Sequence, residues 1–224
     1  MRFSTGTDDL VYLPDKVCVM DERAKKDMIA EGIPEDRIIV TGNPYFEHFT
    51  DGITNNNEDK YKFLFISQPI STLPDTSYQF TEYEVLEGVC TVLEKLPTDY
   101  HLSIRLHPRD DIHKYERFLS NRITLSNEDI LEKDLSQSRT IIGMCSPVLM
   151  QAALAGKRVI RYIPHTTTTF DDVFGYSLPV IASEELLFEK LTSVIEERVD
   201  TLLPSGWLVP GATENIVRLV YSPE

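Results

Sequence analysis

Short apolar runs alternate with amphipathic stretches along most of the chain. The runs are continuous, which is typical of strands that are covered on both faces of a sheet. Strands are predicted at 16–20, 37–41, 62–66, 101–106, 122–125, 140–144, 158–162 and 179–182. Because helical segments separate them, parallel β-α-β units are expected. The pattern therefore predicts an α/β fold, a Rossmann-like doubly wound parallel sheet.

Helices are predicted at 21–31, 82–96, 111–119, 129–137, 146–155, 183–199 and 212–221. Thr81 and Glu84 have the spacing of a capping box at the start of the second helix. Gly32 is expected to end the first helix, and Gly42-Asn43-Pro44 is predicted as a plain turn. One Rossmann-like domain over residues 16–224, preceded by an N-terminal arm at 1–15, accounts for the whole pattern.

Two predicted strands end on polar residues that suit an anion. Strand 101–106 leads into His107-Pro108, and strand 140–144 leads into Ser146-Pro147. Ligands of open α/β sheets bind beyond the carboxyl ends of the strands. We therefore expect a phosphate-bearing ligand between these two strand ends.

His107 is expected to be extended, because a proline disfavours helical backbone in the residue before it. Its ring could bind a phosphate or act as an acid or base. The structural alternative is a histidine that only bonds a loop carbonyl at the end of a strand. Arg109, just beyond Pro108, could assist an anion.

Ser146 has the sequence context of a helix N-cap, because Pro147 would occupy the first helical position. The Ser146 hydroxyl and the N–H groups of Val148 and Leu149 could also receive phosphate oxygens. Gly143 would let a ligand approach the backbone closely. Capping and ligand binding are compatible, since a cap can exchange its hydroxyl contact for a ligand.

Further candidate motifs are weak. Asp171 and Asp172 lie in a long polar loop and could hydrogen-bond ribose hydroxyls, although a solvated position is favoured. The sequence contains no GxGxxG, P-loop or HExxH motif. Its acidic pairs lack the spacing of a calcium loop, and no metal is expected.

Composition narrows the partners and the compartment. The formal net charge of −14 argues against nucleic acid as a partner, because phosphate neutralisation needs a basic surface. Cys18, Cys90 and Cys145 form no CxxC pair, which argues against zinc. Reduced, mostly buried thiols suit a cytoplasmic protein. No apolar run approaches the roughly 18 residues of a membrane span, and the N-terminus lacks a signal-peptide core.

Several short motifs, in order and spacing, resemble GT-B glycosyltransferases. Residues 34–44, PEDRIIVTGNP, are similar to the segment that opens the C-terminal half of these enzymes. His107-Pro108 resembles the HP motif of bacterial sialyltransferases, polysialyltransferases and CDP-glycerol glycerophosphotransferases. Residues 151–159, QAALAGKRV, are similar to a helix and strand of GT-B enzymes and of the related UDP-N-acetylglucosamine 2-epimerases.

The resemblance implies one half of a GT-B architecture, with residues 16–224 as the domain that binds the nucleotide donor. It implies a metal-independent glycosyltransferase of surface polysaccharide synthesis, with a CMP- or UDP-linked sugar as substrate and no other cofactor. His107, as the catalytic residue, and Ser146 would contact the donor phosphate. Gln151 stands where many GT-B enzymes have a glutamate that binds ribose, so it is a candidate ribose or sugar contact, with an amide in place of the carboxylate.

In GT-B enzymes an N-terminal Rossmann domain usually supplies the acceptor site and the catalytic base. The resemblance therefore implies a partner, either an N-terminal domain or a separate chain, in a membrane-associated biosynthetic complex. A non-catalytic nucleotide-binding or interaction domain is the main alternative. A hydrolase that uses Ser146 with His107 is a third hypothesis, weakened because no GxSxG elbow is present.

Overall fold

The computed structural model of the protein describes residues 13–53, 61–73, 78–96, 99–166, 178–196 and 209–221. The chain divides into two compact units, Gly52–Leu202 and a smaller unit of Met1–Asp51 with Leu203–Glu224. Most of the predicted arm at 1–15 lies outside the described residues. No helix in the described ranges is long and apolar enough to cross a membrane.

The helices and strands follow one another in an alternating order. In chain order they are β1 (Val17–Val19), α1 (Glu22–Ala30), β2 (Ile38–Val40), α2 (Pro44–Asp51), β3 (Lys62–Ile66), α3 (Glu82–Glu94), β4 (His101–Arg105), β5 (Ile123–Leu125), α4 (Leu131–Gln137), β6 (Thr140–Gly143), α5 (Pro147–Leu154), β7 (Arg158–Tyr162), β8 (Val180–Ile181), α6 (Glu184–Ile195) and α7 (Ala212–Tyr221).

The larger unit is built on a six-stranded sheet in the order β5-β4-β3-β6-β7-β8, with every neighbouring pair parallel. The chain moves outward from β3 through β4 to β5, and then returns to the other side of β3 for β6, β7 and β8. This reversal of strand order next to the first strand is the Rossmann arrangement. The predicted Rossmann-like parallel sheet is confirmed.

The core of the larger unit explains why its strands are continuous apolar runs. Phe63, Leu64 and Phe65 of β3 are all at most 1% exposed, because helices cover both faces of a parallel sheet. The predicted capping box of α3 is present: the Thr81 N–H donates to the Glu84 carboxylate at 2.7 Å, and the Glu84 N–H donates to the Thr81 hydroxyl at 3.3 Å.

The smaller unit contains a two-stranded parallel sheet, in which Val17 pairs with Ile38 and Val19 with Val40. Asp21 caps the intervening helix α1 by accepting from the Ala24 N–H at 2.7 Å. The chain leaves α1 near Gly32, whose φ of 94° favours glycine, as the sequence predicts.

The prediction of a plain turn at Gly42-Asn43-Pro44 is wrong at Pro44, which begins helix α2, while Gly42 and Asn43 precede the helix. The Asn43 side chain accepts from the Tyr45 N–H at 3.0 Å, and Pro44 occupies the first helical position. Gly42 is still required, since its φ is 87° and a Cβ there would lie 2.8 Å from the Ala212 Cβ.

The predicted helix at 111–119 is also wrong. Only a single 3₁₀ turn, Glu116–Phe118, forms there. The Asp111 carboxylate accepts from the His113 N–H at 2.8 Å, a local turn that competes with helical hydrogen bonding. The expectation of mostly buried thiols fails as well, because Cys18 is exposed and Cys90 and Cys145 are only half-buried, although all three are free.

Removing the Glu47 carboxylate is expected to loosen the start of α7. Glu47 accepts from the Gly211 N–H at 2.9 Å and from the Thr213 N–H at 3.1 Å. The Thr213 N–H is the largest of the influences that lower the Glu47 pKa. In Glu47→Ala we expect faster amide exchange in α7 at pH 7, with little change in Glu31→Ala.

This effect has a defined pH dependence. Because folding lowers the Glu47 pKa, its contribution to stability is present above the unfolded value of about 4.3 and is lost as the pH falls through the folded value. The difference in exchange between wild type and Glu47→Ala should therefore vanish in acid. A difference that persists unchanged at low pH would contradict this explanation.

Candidate functional site

The topology places both predicted strand ends beside the central strand. His107 follows β4 and Ser146 follows β6, and these strands flank β3 on its two sides. All the strands are parallel, so their carboxyl ends lie at one edge of the sheet. The reversal of strand order next to β3 is the position at which open α/β sheets form a ligand crevice.

Two residues after β3 connect to both strand ends. The Ser67 hydroxyl donates to the Asp110 carboxylate at 2.5 Å, in the turn that carries His107. The Gln68 side-chain carbonyl accepts from the Cys145 N–H at 2.8 Å, directly before Ser146. The end of β3 thus braces the loops on either side of it. Neither Ser67 nor Gln68 belongs to a motif that the sequence predicts as part of a site.

The turn that carries His107 is closed by its own hydrogen bonds. The Asp110 N–H donates to the His107 carbonyl at 2.8 Å, and the His107 N–H donates back to the Asp110 carboxylate at 2.9 Å. The Arg109 N–H donates to His107 Nδ1 at 3.2 Å. Because Nδ1 accepts, the neutral ring carries its proton on Nε2, which makes that nitrogen a hydrogen-bond donor.

The His107 ring is half-buried, and its bonded partner is a backbone N–H rather than the loop carbonyl of the structural alternative. Pro108 and Arg109 are exposed.

A buried ion-pair cluster lies behind this turn. Lys114 donates to Asp110 at 2.6 Å and to Glu82 at 2.8 Å. The side chains of Lys114, Asp110 and Glu82 are 6%, 2% and 0% exposed. We call these three residues the Lys114 cluster. It connects α3 to the His107 turn, and none of its members was identified from the sequence.

Hydroxyl groups complete the hydrogen bonding of the Lys114 cluster. Ser71 donates from its N–H and its hydroxyl to Glu82, at 2.8 and 2.7 Å. The Ser67 hydroxyl lies 2.6 Å from the hydroxyl of Tyr115, which is fully buried. Buried charges of this kind are tolerated when their remaining hydrogen bonds are satisfied.

The Lys114 cluster keeps its carboxylates ionised. Burial alone would raise the pKa of Glu82 and of Asp110, but the hydrogen bonds from Lys114 and from the serines outweigh it and lower both pKa values. Burial alone would lower the pKa of Lys114, and its bonds to the two carboxylates raise it instead. Burial raises the pKa of Tyr115 to about 12, so it stays a neutral donor.

Ser146 caps helix α5, as the sequence predicts. Its hydroxyl accepts from the Val148 N–H at 3.3 Å, and Pro147 follows as the first helical residue. The Leu149 N–H already donates to the Ser146 carbonyl at 2.9 Å. The long Val148 contact is the one that an anion would most readily replace, and the Ser146 hydroxyl would then be free to donate.

Gly143 and Gln151 have different surroundings. A Cβ at Gly143 would lie 3.1 Å from the Leu149 side chain, so close packing of β6 on α5 is enough to favour glycine there.

The Gln151 side-chain carbonyl is buried and has no hydrogen-bond partner among the described residues. An unpaired buried acceptor is a position at which a ligand hydroxyl could donate.

The loop after β5 belongs to the same edge of the sheet. Its Ser126 donates to the Asp134 carboxylate at 2.5 Å, and Asp134 also pairs with Arg105 at the end of β4. Arg105 donates to the Glu128 carbonyl at 3.1 Å. Arg105 is therefore committed to holding this loop. Asp171 and Asp172 lie outside the described residues.

The sequence contained partial signals for the residues that were missed. Asp110 is three residues after His107, the separation of a turn that closes on itself, and Lys114 is four residues after Asp110. Neither Glu82 nor Ser67 is marked by any spacing, since both reach the site only through the packing of α3 and the order of the strands.

No protein-family model matches the sequence, and no curated protein matches it. Solved structures match its fold. The Methanocaldococcus jannaschii UDP-GlcNAc 2-epimerase, in complex with UDP-GlcNAc and UDP, has a TM-score of 0.66 at 16% identity, over 93% of this chain and 61% of that chain. The Neisseria meningitidis UDP-GlcNAc 2-epimerase bound to UDP-GlcNAc has a TM-score of 0.61 at 18% identity, and the match covers 93% of this chain and 62% of that chain. The S. aureus MnaA–UDP co-structure has a TM-score of 0.61 at 17% identity, and the match covers 93% of this chain and 59% of that chain.

The chain spans less than two thirds of the length of these proteins, from 59% to 62%. At such identities the likeness establishes the fold. Together with the strand order of the larger unit, it confirms the prediction that the protein has a Rossmann-like fold corresponding to one half of a GT-B architecture.

Proposed function

We propose that the larger unit binds a nucleotide-activated sugar through its phosphate and serves as the donor-binding half of a glycosyltransferase in surface glycan synthesis. The observation that carries this proposal is the pair of loops beside β3, one presenting His107 and the other the capped start of α5. The structural neighbours named as complexes with UDP or UDP-GlcNAc support a nucleotide sugar as the ligand.

Each part of the proposed site has a chemical task. His107 Nε2–H donates to a phosphate oxygen, while the Ser146 hydroxyl and the Val148 N–H take another, assisted by the helix dipole of α5. These donors also stabilise the charge that develops on the leaving phosphate during transfer. The unpaired Gln151 carbonyl accepts a ribose or sugar hydroxyl. The site needs no metal for these tasks.

In sequence, His107-Pro108 resembles the HP motif of bacterial sialyltransferases and CDP-glycerol glycerophosphotransferases, and this resemblance motivates the proposal of a CMP- or UDP-linked donor. The hydrolase alternative is less well supported, because no hydrogen bond joins His107 to Ser146 within the described residues. A nucleophilic serine needs a base within hydrogen-bond reach.

Titration calorimetry with UDP, CDP and CMP, beside uridine and cytidine, tests the proposal. We expect at least one nucleotide to bind about tenfold or more tightly than its nucleoside, because charge-assisted hydrogen bonds to phosphate contribute about 1.5 to 3 kcal/mol. Equal affinity for nucleotide and nucleoside, or binding by none, would contradict it. Binding without transfer or hydrolysis of the sugar nucleotide would instead support a non-catalytic binding domain.

We further propose a partner that completes the acceptor side, either an adjoining Rossmann domain or a separate chain, in a membrane-associated complex. The smaller unit motivates this, since a two-stranded parallel sheet is small for independent stability. Helix α7 also leaves Val217, Val220 and Tyr221 46%, 63% and 80% exposed. The coding sequence that adjoins this chain tests the idea, and a neighbourhood without any Rossmann-domain partner would count against it.

A further inference from the structure

The strand pairing of β3 places Gln68 between the two loops of the proposed phosphate site. Continued past the last paired residues, the register sets Gln68 level with His107 on one side and with Cys145 on the other. The pairing with β4 does continue past β3, because the Ser67 N–H donates to the Arg105 carbonyl at 3.0 Å. Since neighbouring strands are about 4.8 Å apart, Gln68 lies within reach of a ligand that touches both loops.

The side-chain amide of Gln68 has a fixed orientation. Its oxygen accepts from the Cys145 N–H at 2.8 Å, and an N–H group can donate only to the oxygen of an amide. The other end of the amide is therefore the nitrogen, Nε2. Covalent geometry keeps Nε2 within about 5 Å of the Cys145 nitrogen, and thus close to the start of α5.

Nε2 carries two N–H donors that the protein itself does not use. Among the described residues, no acceptor bonds Nε2. Gln68 is half-buried, and its Nε2 is accessible rather than enclosed. A ligand can therefore reach these donors without displacing a hydrogen bond of the protein.

The surroundings of Gln68 are held in place on both sides. The Gln68 backbone carbonyl accepts from Lys114 at 3.4 Å. On the other side, Arg161 is 4% exposed and donates from Nε to the Met144 carbonyl at 2.9 Å, which fixes the backbone next to Cys145. A donor that is positioned before the ligand arrives costs less ordering when the ligand binds.

We propose that Gln68 is a third side-chain donor to the phosphate, and that its Nε2 donates to a phosphate oxygen between the groups held by His107 and Ser146. This inference rests on the proposed nucleotide site and adds to it a residue that neither the HP motif nor the cap of α5 identifies. The two ends of the amide have separate tasks: the oxygen braces the loop before α5, and the nitrogen binds the ligand.

Gln68→Glu separates these two tasks. The substitution keeps an oxygen that accepts from the Cys145 N–H, and it replaces the N–H donors by a charged oxygen. We expect UDP and CDP to bind about tenfold or more weakly, the loss of one hydrogen bond to a charged group, while uridine and cytidine bind as they do to the wild type. Titration calorimetry with the full chain in about 0.15 M salt measures this, because such salt screens charges more than about 8 Å apart.

Two further variants serve as controls. Gln79→Glu adds the same charge at an exposed position just before α3 and should leave nucleotide affinity unchanged. Gln68→Met removes the brace together with the donor and should also weaken nucleotide binding. Gln68→Glu is expected to melt close to the wild type because its brace remains, and thermal unfolding of all three variants verifies that they fold.

Any of three results would overturn this inference. Equal losses in Gln68→Glu and Gln79→Glu would indicate a general effect of negative charge. Full affinity in Gln68→Glu, with a loss in Gln68→Met, would leave Gln68 only as a brace. Equal losses for nucleotide and nucleoside in Gln68→Glu would place the amide against the nucleoside. In each case the wild type still prefers nucleotide to nucleoside, so the nucleotide site stands; a wild type without that preference would overturn both proposals.

Discussion

Replacement of Lys114 by methionine is expected to destabilise the larger unit by about 3 to 5 kcal/mol at neutral pH. The lysine is the cation between Glu82 and Asp110, whose side chains are 0% and 2% exposed. Methionine fills a similar volume but leaves two carboxylates buried without a counter-charge. Loss of one partner of a buried ion pair is among the most costly single substitutions. Urea unfolding, followed by the fluorescence of buried tyrosines, measures it.

The cost should depend on pH in a particular direction. In the wild type, folding lowers the pKa values of Glu82 and Asp110. The stability that these two carboxylates contribute is therefore fully present above their pKa values in the unfolded chain. It is lost as the pH falls through their pKa values in the folded protein. In Lys114→Met burial raises both pKa values, so the carboxylates take up protons at a higher pH than in the wild type, and protonation relieves the repulsion. The gap in unfolding free energy between the two proteins should therefore narrow on acidification.

The matched control is Lys95→Met. Lys95 pairs with Glu184 at 3.2 Å, but both side chains are substantially exposed. An exposed pair of this kind contributes about 1 kcal/mol or less. Equal costs for the two lysine substitutions, or a Lys114→Met cost that does not change with pH, would show that the Lys114 cluster is not an important source of stability.

His107→Ala is expected to weaken binding of UDP or CDP about 10- to 100-fold, the loss of a charge-assisted hydrogen bond of about 1.5 to 3 kcal/mol. The ring is half-buried, and among the described residues its Nδ1 bonds only the Arg109 N–H, at 3.2 Å. The free energy of unfolding should therefore change by about 1 kcal/mol or less. Calorimetry of nucleotide binding and thermal unfolding, done on the same preparation, separate the two effects.

Two further variants sharpen this prediction. His107→Gln keeps an N–H donor near the position of Nε2 and should recover part of the lost affinity. His113→Ala removes a ring whose ion-pair partner among the described residues is the exposed Glu116, and this variant should bind nucleotide as the wild type does. A large drop in melting temperature with intact affinity in His107→Ala would assign the histidine a structural role.

Local signals in the sequence predict the elements of the larger unit well. The parallel strands are covered on both faces and appear as continuous apolar runs, so β3, β4, β6 and β7 were all found close to their bounds. The starts of α3 and α5 were found because a capping side chain bonds the backbone within three residues. The N-cap role of Ser146 follows from the same local chemistry.

Where local signals compete, the predictions failed. The segment 111–119 has helical spacing, yet Asp111 forms a side-chain turn and Asp110 and Lys114 are drawn into the Lys114 cluster. Gly42-Asn43-Pro44 has the composition of a turn and of a helix start, and packing of the glycine against Ala212 accompanies the helix start.

The sequence by itself determined the alternation of strands and helices and the capped start of α5. Only the tertiary structure decided that β3 lies between β4 and β6, and that Ser67 and Gln68 brace the two loops. Glu82 reaches Lys114 through the same packing. Caps and apolar runs act over a few residues, whereas strand order and buried ion pairs join residues tens of positions apart, where spacing carries no signal.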